Sequence, residues 1–176
     1  MQEMVIYGVS FDMVGKQPIV LLKTQDGNKF LPIWIGHPEA AAILMKLQGA
    51  STPRPMTHDL VTEILGELEA KVVRIAVTEL RENTFYAQIT VQQDGKEIEI
   101  DSRPSDAIAL AIRAEAPIFA ADEVIEESAI EFEGDEAETN EQIARASELG
   151  DVDPEEFRRF LDTVTPDQFA EAGDED

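Results

Sequence analysis

QPIVLLKTQDGNKFLPIWIGHPEAAAILMKL, residues 17–47, returns in outline as TFYAQITVQQDGKEIEIDSRPSDAIALAIR, residues 84–113. Each stretch reads as a strand, an Asp-Gly pair, a second strand, a polar residue, a proline and an alanine-rich helix. Asp-Gly between apolar runs signals a hairpin because both residues tolerate positive φ. Proline suits the first turn of a helix, where the N–H it lacks would have no intrahelical partner. Two such ββα units predict an α+β fold, with a mostly antiparallel sheet and two or three packed helices, built by internal duplication. The spacing from glycine to proline is eleven residues from Gly27 to Pro38 and nine from Gly95 to Pro104. Either the copies have diverged or the first carries a two-residue bulge.

Working outward, Glu3 to Met13 is β-branched and apolar enough for a further strand, and Gly49 supplies a stop for a helix running from about Pro38 to Gln48. STPRPMTHDL, residues 51–60, reads as a loop in which Thr57 caps a second helix to about Glu69, with Leu60, Ile64 and Leu68 on one face. Strands are predicted over Lys71–Leu80, Thr84–Gln93 and Glu97–Asp101, and a helix over Ser105–Ala114. Beyond Ala120 the run EVIEESAIEFEGDEAETNEQ reads as a self-repelling linker, and DPEEFRRFLDTVTPDQF spaces Phe157, Phe160, Leu161 and Val164 along one helical face. The expected organisation is a domain over 1–130, an acidic linker over 131–152, and a short amphipathic helix with an acidic tail over 153–176.

With 176 residues, 43% of them hydrophobic, the chain can bury one ordinary core with an extension. The absence of cysteine removes disulfides and thiolate metal sites. No basic leader and no apolar run of membrane length is present, so the expectation is a cytoplasmic protein away from membranes. The formal charge of −23 at first argues against nucleic acid. Its distribution reverses that argument: residues 1–120 carry 11 Lys and Arg against 16 Asp and Glu, whereas residues 121–176 carry 3 against 21. Most of the acidity therefore belongs to the tail.

The chemistry-bearing residues gather at strand-to-helix junctions. In DSRPSD, residues 101–106, Pro104 fixes the helix entry, Ser102 or Ser105 can cap it, Asp106 complements the dipole and Arg103 can pair with Asp101. The functional alternative has Asp101 and Asp106, with Glu39, holding a divalent cation while Arg103 engages phosphate at a helix amino terminus. Arg54 and Arg113 are the further phosphate candidates. The two histidines, His37 and His58, each stand at a helix start. Either is a capping residue or a proton-transfer group, since imidazole titrates near neutral pH. Glycine-rich phosphate loops, HExxH and GxSxG are absent, which disfavours nucleotide-driven motors, zinc proteases and α/β-hydrolases.

LPIWIG (31–36), RPMTHDL (54–60), TFYA (84–87) and SRPSDAIALAIR (102–113) together resemble the bifunctional nuclease domain family of bacteria and plants. The resemblance covers about residues 3–130, and the acidic extension is similar to that of some actinobacterial members. A helical-hairpin module of the UVR type, present in some relatives, is not evident. The resemblance implies a compact, often oligomeric α+β domain acting on RNA and DNA. Joined with the residue reading, it predicts a nuclease dependent on Mg²⁺ or Mn²⁺: His37, His58 and Asp106 catalytic, Arg54, Arg103 and Arg113 on phosphate, and Glu39, Asp101 and Asp106 on the metal. The expected partners are single-stranded or flexible nucleic acid and a second copy of the chain, a dimer being favoured. The alternative is a non-enzymatic regulatory module whose tail binds a basic protein or the domain's own basic patch.

Overall fold

The computed structural model describes residues 1–12, 17–50, 52–131 and 149–150. Three antiparallel strands, β1 (Gln2–Asp12), β2 (Gln17–Thr24) and β3 (Lys29–Trp34), lead into helix α1 (His37–Leu47). After α2 (Thr57–Glu67) the pattern repeats as β4 (Lys71–Arg81), β5 (Thr84–Gln93), β6 (Lys96–Ser102) and α3 (Pro104–Ala114). The predicted ββα unit is thus a βββα unit present twice. β7 (Ile118–Ala120), α4 (Asp122–Ser128), β8 (Ile130–Glu131) and β9 (Leu149–Gly150) follow. The sheet order is β6-β5-β4-β7-β1-β2-β3-β8, with β9 also on β1, and every pairing is antiparallel except β4 with β7. The fold is α+β, as the sequence predicts.

The two Asp-Gly hairpins differ in their turns. Asp94 and Gly95 both have positive φ, 50° and 74°, which is the twist a two-residue hairpin requires. Asp26 and Gly27 avoid the left-handed region; there the Thr24 hydroxyl accepts the Lys29 N–H at 3.3 Å, and a Cβ on Gly27 would stand 2.8 Å from that oxygen. Counted to the N-cap residues the first copy is longer by one, nine residues from Gly27 to Gly36 against eight from Gly95 to Arg103. The other extra residue is His37, which sets Pro38 one place deeper in its helix than Pro104, and no bulge interrupts β2 against β3. The register shifts lie instead in β1 against β2, and in β4 against β5.

Helices α1, α3 and α4 cover one face of the sheet. One cluster joins Leu22, Leu31 and Ile33 of the first half to Ile75, Val77 and Ile89 of the second, roofed by Ile43, Ile108 and Ile125. On the other face a small cluster of Ile19, Leu21 and Phe30, with Tyr7, underlies the first half only. The segment after Ala120 departs from the predicted linker: Asp122–Ser128 is helical, because Val124 and Ile125 reach the core while its acids lie on the outside. Asp122 also receives the Met1 amine at 2.5 Å and the Gln2 amide at 3.1 Å. Most of the expected linker, and the amphipathic helix expected near Phe157, lie outside the described residues.

Helix α2 also differs from its prediction. Met56, not Thr57, is its N-cap residue, and the Asp59 carboxylate accepts the Met56 N–H at 2.9 Å. Leu60, Ile64 and Leu68 do form a stripe, but it is exposed; the part-buried line is His58, Val61, Thr62 and Leu65. α2 buries no residue completely. Among the described residues no helix is long and apolar enough to cross a membrane.

Ile125→Ala removes a wholly buried side chain and is expected to cost about 2–5 kcal/mol in urea unfolding. A solvated linker would show no such cost.

Candidate functional site

The amino ends of three helices meet on the covered side of the sheet. Gly36 and Arg103 are the N-cap residues of α1 and α3, so Glu39 and Asp106 are the third residues of their helices and occupy equivalent places in the two copies. His58 is the second residue of α2. These side chains form one chain of polar bonds. His58 Nε2 lies 3.0 Å from Asp106 Oδ1; Arg103 donates to Asp106 through Nε at 2.7 Å and Nη2 at 3.0 Å, and its Nη2 reaches Glu39 Oε1 at 2.9 Å. In the neutral imidazole that bears hydrogen on Nε2, this contact leaves Nδ1 as an acceptor. The His58 side chain is 12% exposed and that of Arg103 is 67% exposed, so the arginine stands at the mouth. Its Nη1 group makes no bond among the described residues.

Partial burial pushes the Asp106 carboxyl upward, but bonds from Arg103 and His58 outweigh it and hold the group below the ordinary value of 3.8. Arg103 is raised above the ordinary guanidinium value, chiefly by its hydrogen bond to Asp106, and remains a fixed cation. Gly36 makes room for this arrangement: a Cβ there would run into Glu39 Oε2, which folds back over the helix start. The first copy therefore has glycine where the second has the bridging arginine.

The other predicted site residues lie elsewhere or do other work. Asp101 is paired in register with Gln88, among residues that alternate to the sheet face opposite the helices, so the Glu39, Asp101 and Asp106 set is divided by the sheet. No group of three potential metal-ligating side chains occurs among the described residues. Within the cluster itself, Glu39 and Asp106 face a guanidinium, and a cation between them would have to displace Arg103. Nor does Arg103 pair with Asp101 or receive a serine cap: α3 has no side-chain cap bond, and Ser102 Oγ is buried without a partner among the described residues.

Arg113 is 5% exposed, with its guanidinium committed to Asp59 Oδ1 at 2.5 Å, Ala109 O at 2.9 Å and Ala42 O at 3.2 Å. It clamps α1, α2 and α3 together and presents no group to a phosphate. Asp59, next to His58 in the first turn of α2, is pushed up by burial but held below 3.8 by the Arg113 and Met56 bonds. Arg54 is exposed in the loop before α2, where its carbonyl accepts from the Thr52 hydroxyl. His37 is the partly buried first residue of α1.

With the fold and this cluster described, the chain can be placed. It belongs to the bifunctional nuclease domain family, whose match spans residues 20–133. A protein of Mycobacterium tuberculosis strain H37Rv, named only as uncharacterized, is 34% identical over 96% of this chain and 98% of its own length. Bifunctional nuclease 1 of Oryza sativa subsp. japonica is 30% identical over 56% of this chain, and that of Arabidopsis thaliana 29% over 57%. The chain spans about a third of the length of these plant relatives, 31% and 32%.

Both Asp59 and Asp106 have depressed values in the folded state, so their contribution to stability is complete above 3.8 and is lost as pH falls through the lower folded values. Urea midpoints followed from pH 7 to pH 2 should drop on that acid limb, and Asp59→Asn should flatten the drop while lowering stability at neutral pH. Gly36→Ala should displace the flexible end of Glu39 from Arg103 and change stability by no more than about 1 kcal/mol. A crystal structure of the variant with the Glu39–Arg103 contact intact would contradict this account.

Proposed function

We propose that this chain hydrolyses phosphodiester bonds of flexible RNA and DNA where the amino ends of α1, α2 and α3 meet. The observation that carries the reading is the bonded chain His58–Asp106–Arg103–Glu39 at three helix starts. It lies within a domain shared with plant proteins named bifunctional nucleases. Helix amino termini favour an anion through unpaired N–H groups and the helix dipole. The free Nη1 donors of Arg103 face the solvent side, where a phosphate would arrive.

In this reading Asp106 orients His58, whose Nδ1 takes a proton from the attacking water as its oxygen bonds to phosphorus. The bond from phosphorus to the leaving sugar oxygen breaks, and that oxygen is protonated from His58 or solvent. Arg103 stabilises the extra negative charge on the phosphoryl oxygens. Glu39 holds the guanidinium in place from α1. Glu39 and Asp106 would hold Mg²⁺ or Mn²⁺ only by giving up Arg103, so every step above is assigned to the chain's own residues.

Cleavage of fluorescent single-stranded RNA and DNA, with Mg²⁺, Mn²⁺ or chelator, tests the reading. His58→Ala and Asp106→Ala should each lower kcat/KM by about 10²-fold or more. Arg103→Met should weaken substrate binding and its salt dependence. Folded variants with undiminished cleavage would refute the roles assigned. A wild-type protein inert with both metals and with chelator would favour the regulatory-module reading instead.

A further inference from the structure

One long edge of the sheet carries a recognition pattern unrelated to the helix-terminal cluster. β6 is the terminal strand, and among the described residues only β5 pairs with it. At the opposite edge, β8 pairs with Lys29 and Phe30 of β3. In KEIEIDS the alternation divides the strand cleanly. Ile98 and Ile100 pair with Val91 and Ile89, which belong to the helix-covered core, yet they remain 46% and 42% exposed. Glu97, Glu99 and Asp101 project from the other face, where Arg74 reaches Glu97 at 3.5 Å and Glu99 at 4.0 Å. One arginine spread over two exposed carboxylates leaves the row net negative.

The apolar side extends onto α2. The Leu68 carbonyl accepts the Gln93 side-chain N–H at 2.8 Å, which fixes the end of α2 beside the β5–β6 hairpin. Leu60, Ile64 and Leu68 are each about half exposed. The exposed areas of these three and of the two isoleucines come to on the order of 400 Å², within the range of the largest apolar patch on an ordinary monomer, which is often functional.

We infer that the outer edge of β6 receives an extended segment of a different protein, one that alternates basic and apolar side chains. Its backbone would take the outward N–H and C=O groups of β6, its apolar residues would cover Ile98 and Ile100, and its Lys or Arg residues would face Glu97, Glu99 and Asp101. A second copy of this chain is the wrong occupant. In the antiparallel pairing that a two-fold axis through the sheet would make, like faces stay together and opposed residues share a face, so acid would meet acid. The acids that repel a second copy therefore select a basic strand.

The test uses the full chain and two labelled heptapeptides of identical composition, one alternating lysine with valine and one with its lysines grouped. Fluorescence anisotropy reads binding, and hydrogen exchange reads where it occurs. The alternating peptide should bind at least tenfold more tightly than the grouped one and slow exchange at alternate amides of β6. Ile98→Ser/Ile100→Ser and Glu97→Lys/Glu99→Lys should each weaken it about tenfold, while an alternating glutamate-valine peptide should fail to bind the wild type. Equal binding of the two lysine peptides, or binding without protection in β6, would overturn the inference. So would protection of β6 that rises with protein concentration alone, the signature of self-association. Cleavage activity takes no part in these readouts.

Discussion

The guanidinium of Arg113 is the constraint on which the helical layer depends. It lies almost wholly out of water at the last turn of α3 and spends its donors on α1, α2 and its own helix. A buried cation without partners would cost several kcal/mol, and loss of one partner typically destabilises by about 3–5 kcal/mol. The neighbouring helices are therefore held to positions that satisfy it. α2 feels this most strongly, because no residue of that helix is fully buried. Asp59 on Arg113 and His58 on Asp106 are consecutive residues, so the clamp that positions the first also delivers the second to the cluster.

The repeated unit explains why Glu39 and Asp106 come together. They are third residues of equivalent helices, and α1 packs against α3, which brings the two helix starts within reach of one arginine. The symmetry stops at the N-cap, where arginine in one copy faces glycine in the other. A symmetric pair of arginines would crowd two cations between two carboxylates; a symmetric pair of glycines would leave the carboxylates opposed with nothing between them. Divergence at this one position places a single cation between two carboxylates and makes an asymmetric centre from two similar junctions.

The long elements were legible in the sequence because their signals are local. Asp-Gly turns, Pro38 and Pro104 at helix entries, and Gly49, with φ of 65° just past the end of α1, act within a few residues of themselves. β7, α4 and β8 were missed because three, seven and two residues carry too little periodicity, and the acidity around Val124 and Ile125 hid the two side chains that matter. Proximity in sequence also misled. Asp101 is five residues from Asp106, but strand alternation sends it to the other face. Arg113 reads as a phosphate ligand by residue type alone, and only the tertiary position of Asp59 shows that its charge is already matched.

β7 gives the sheet a seam. Gln2–Met4 of β1 lie on one side of it and Ile75–Val77 of β4 on the other, so the two halves join edge to edge through a strand of three residues. During synthesis both halves emerge before that strand does. A nascent chain ending short of residue 118 would hold six strands in two separate meanders, each with both margins open. The two halves of the sheet thus cannot join before residues 118–120 have emerged, and a short late strand governs when two similar halves become one domain.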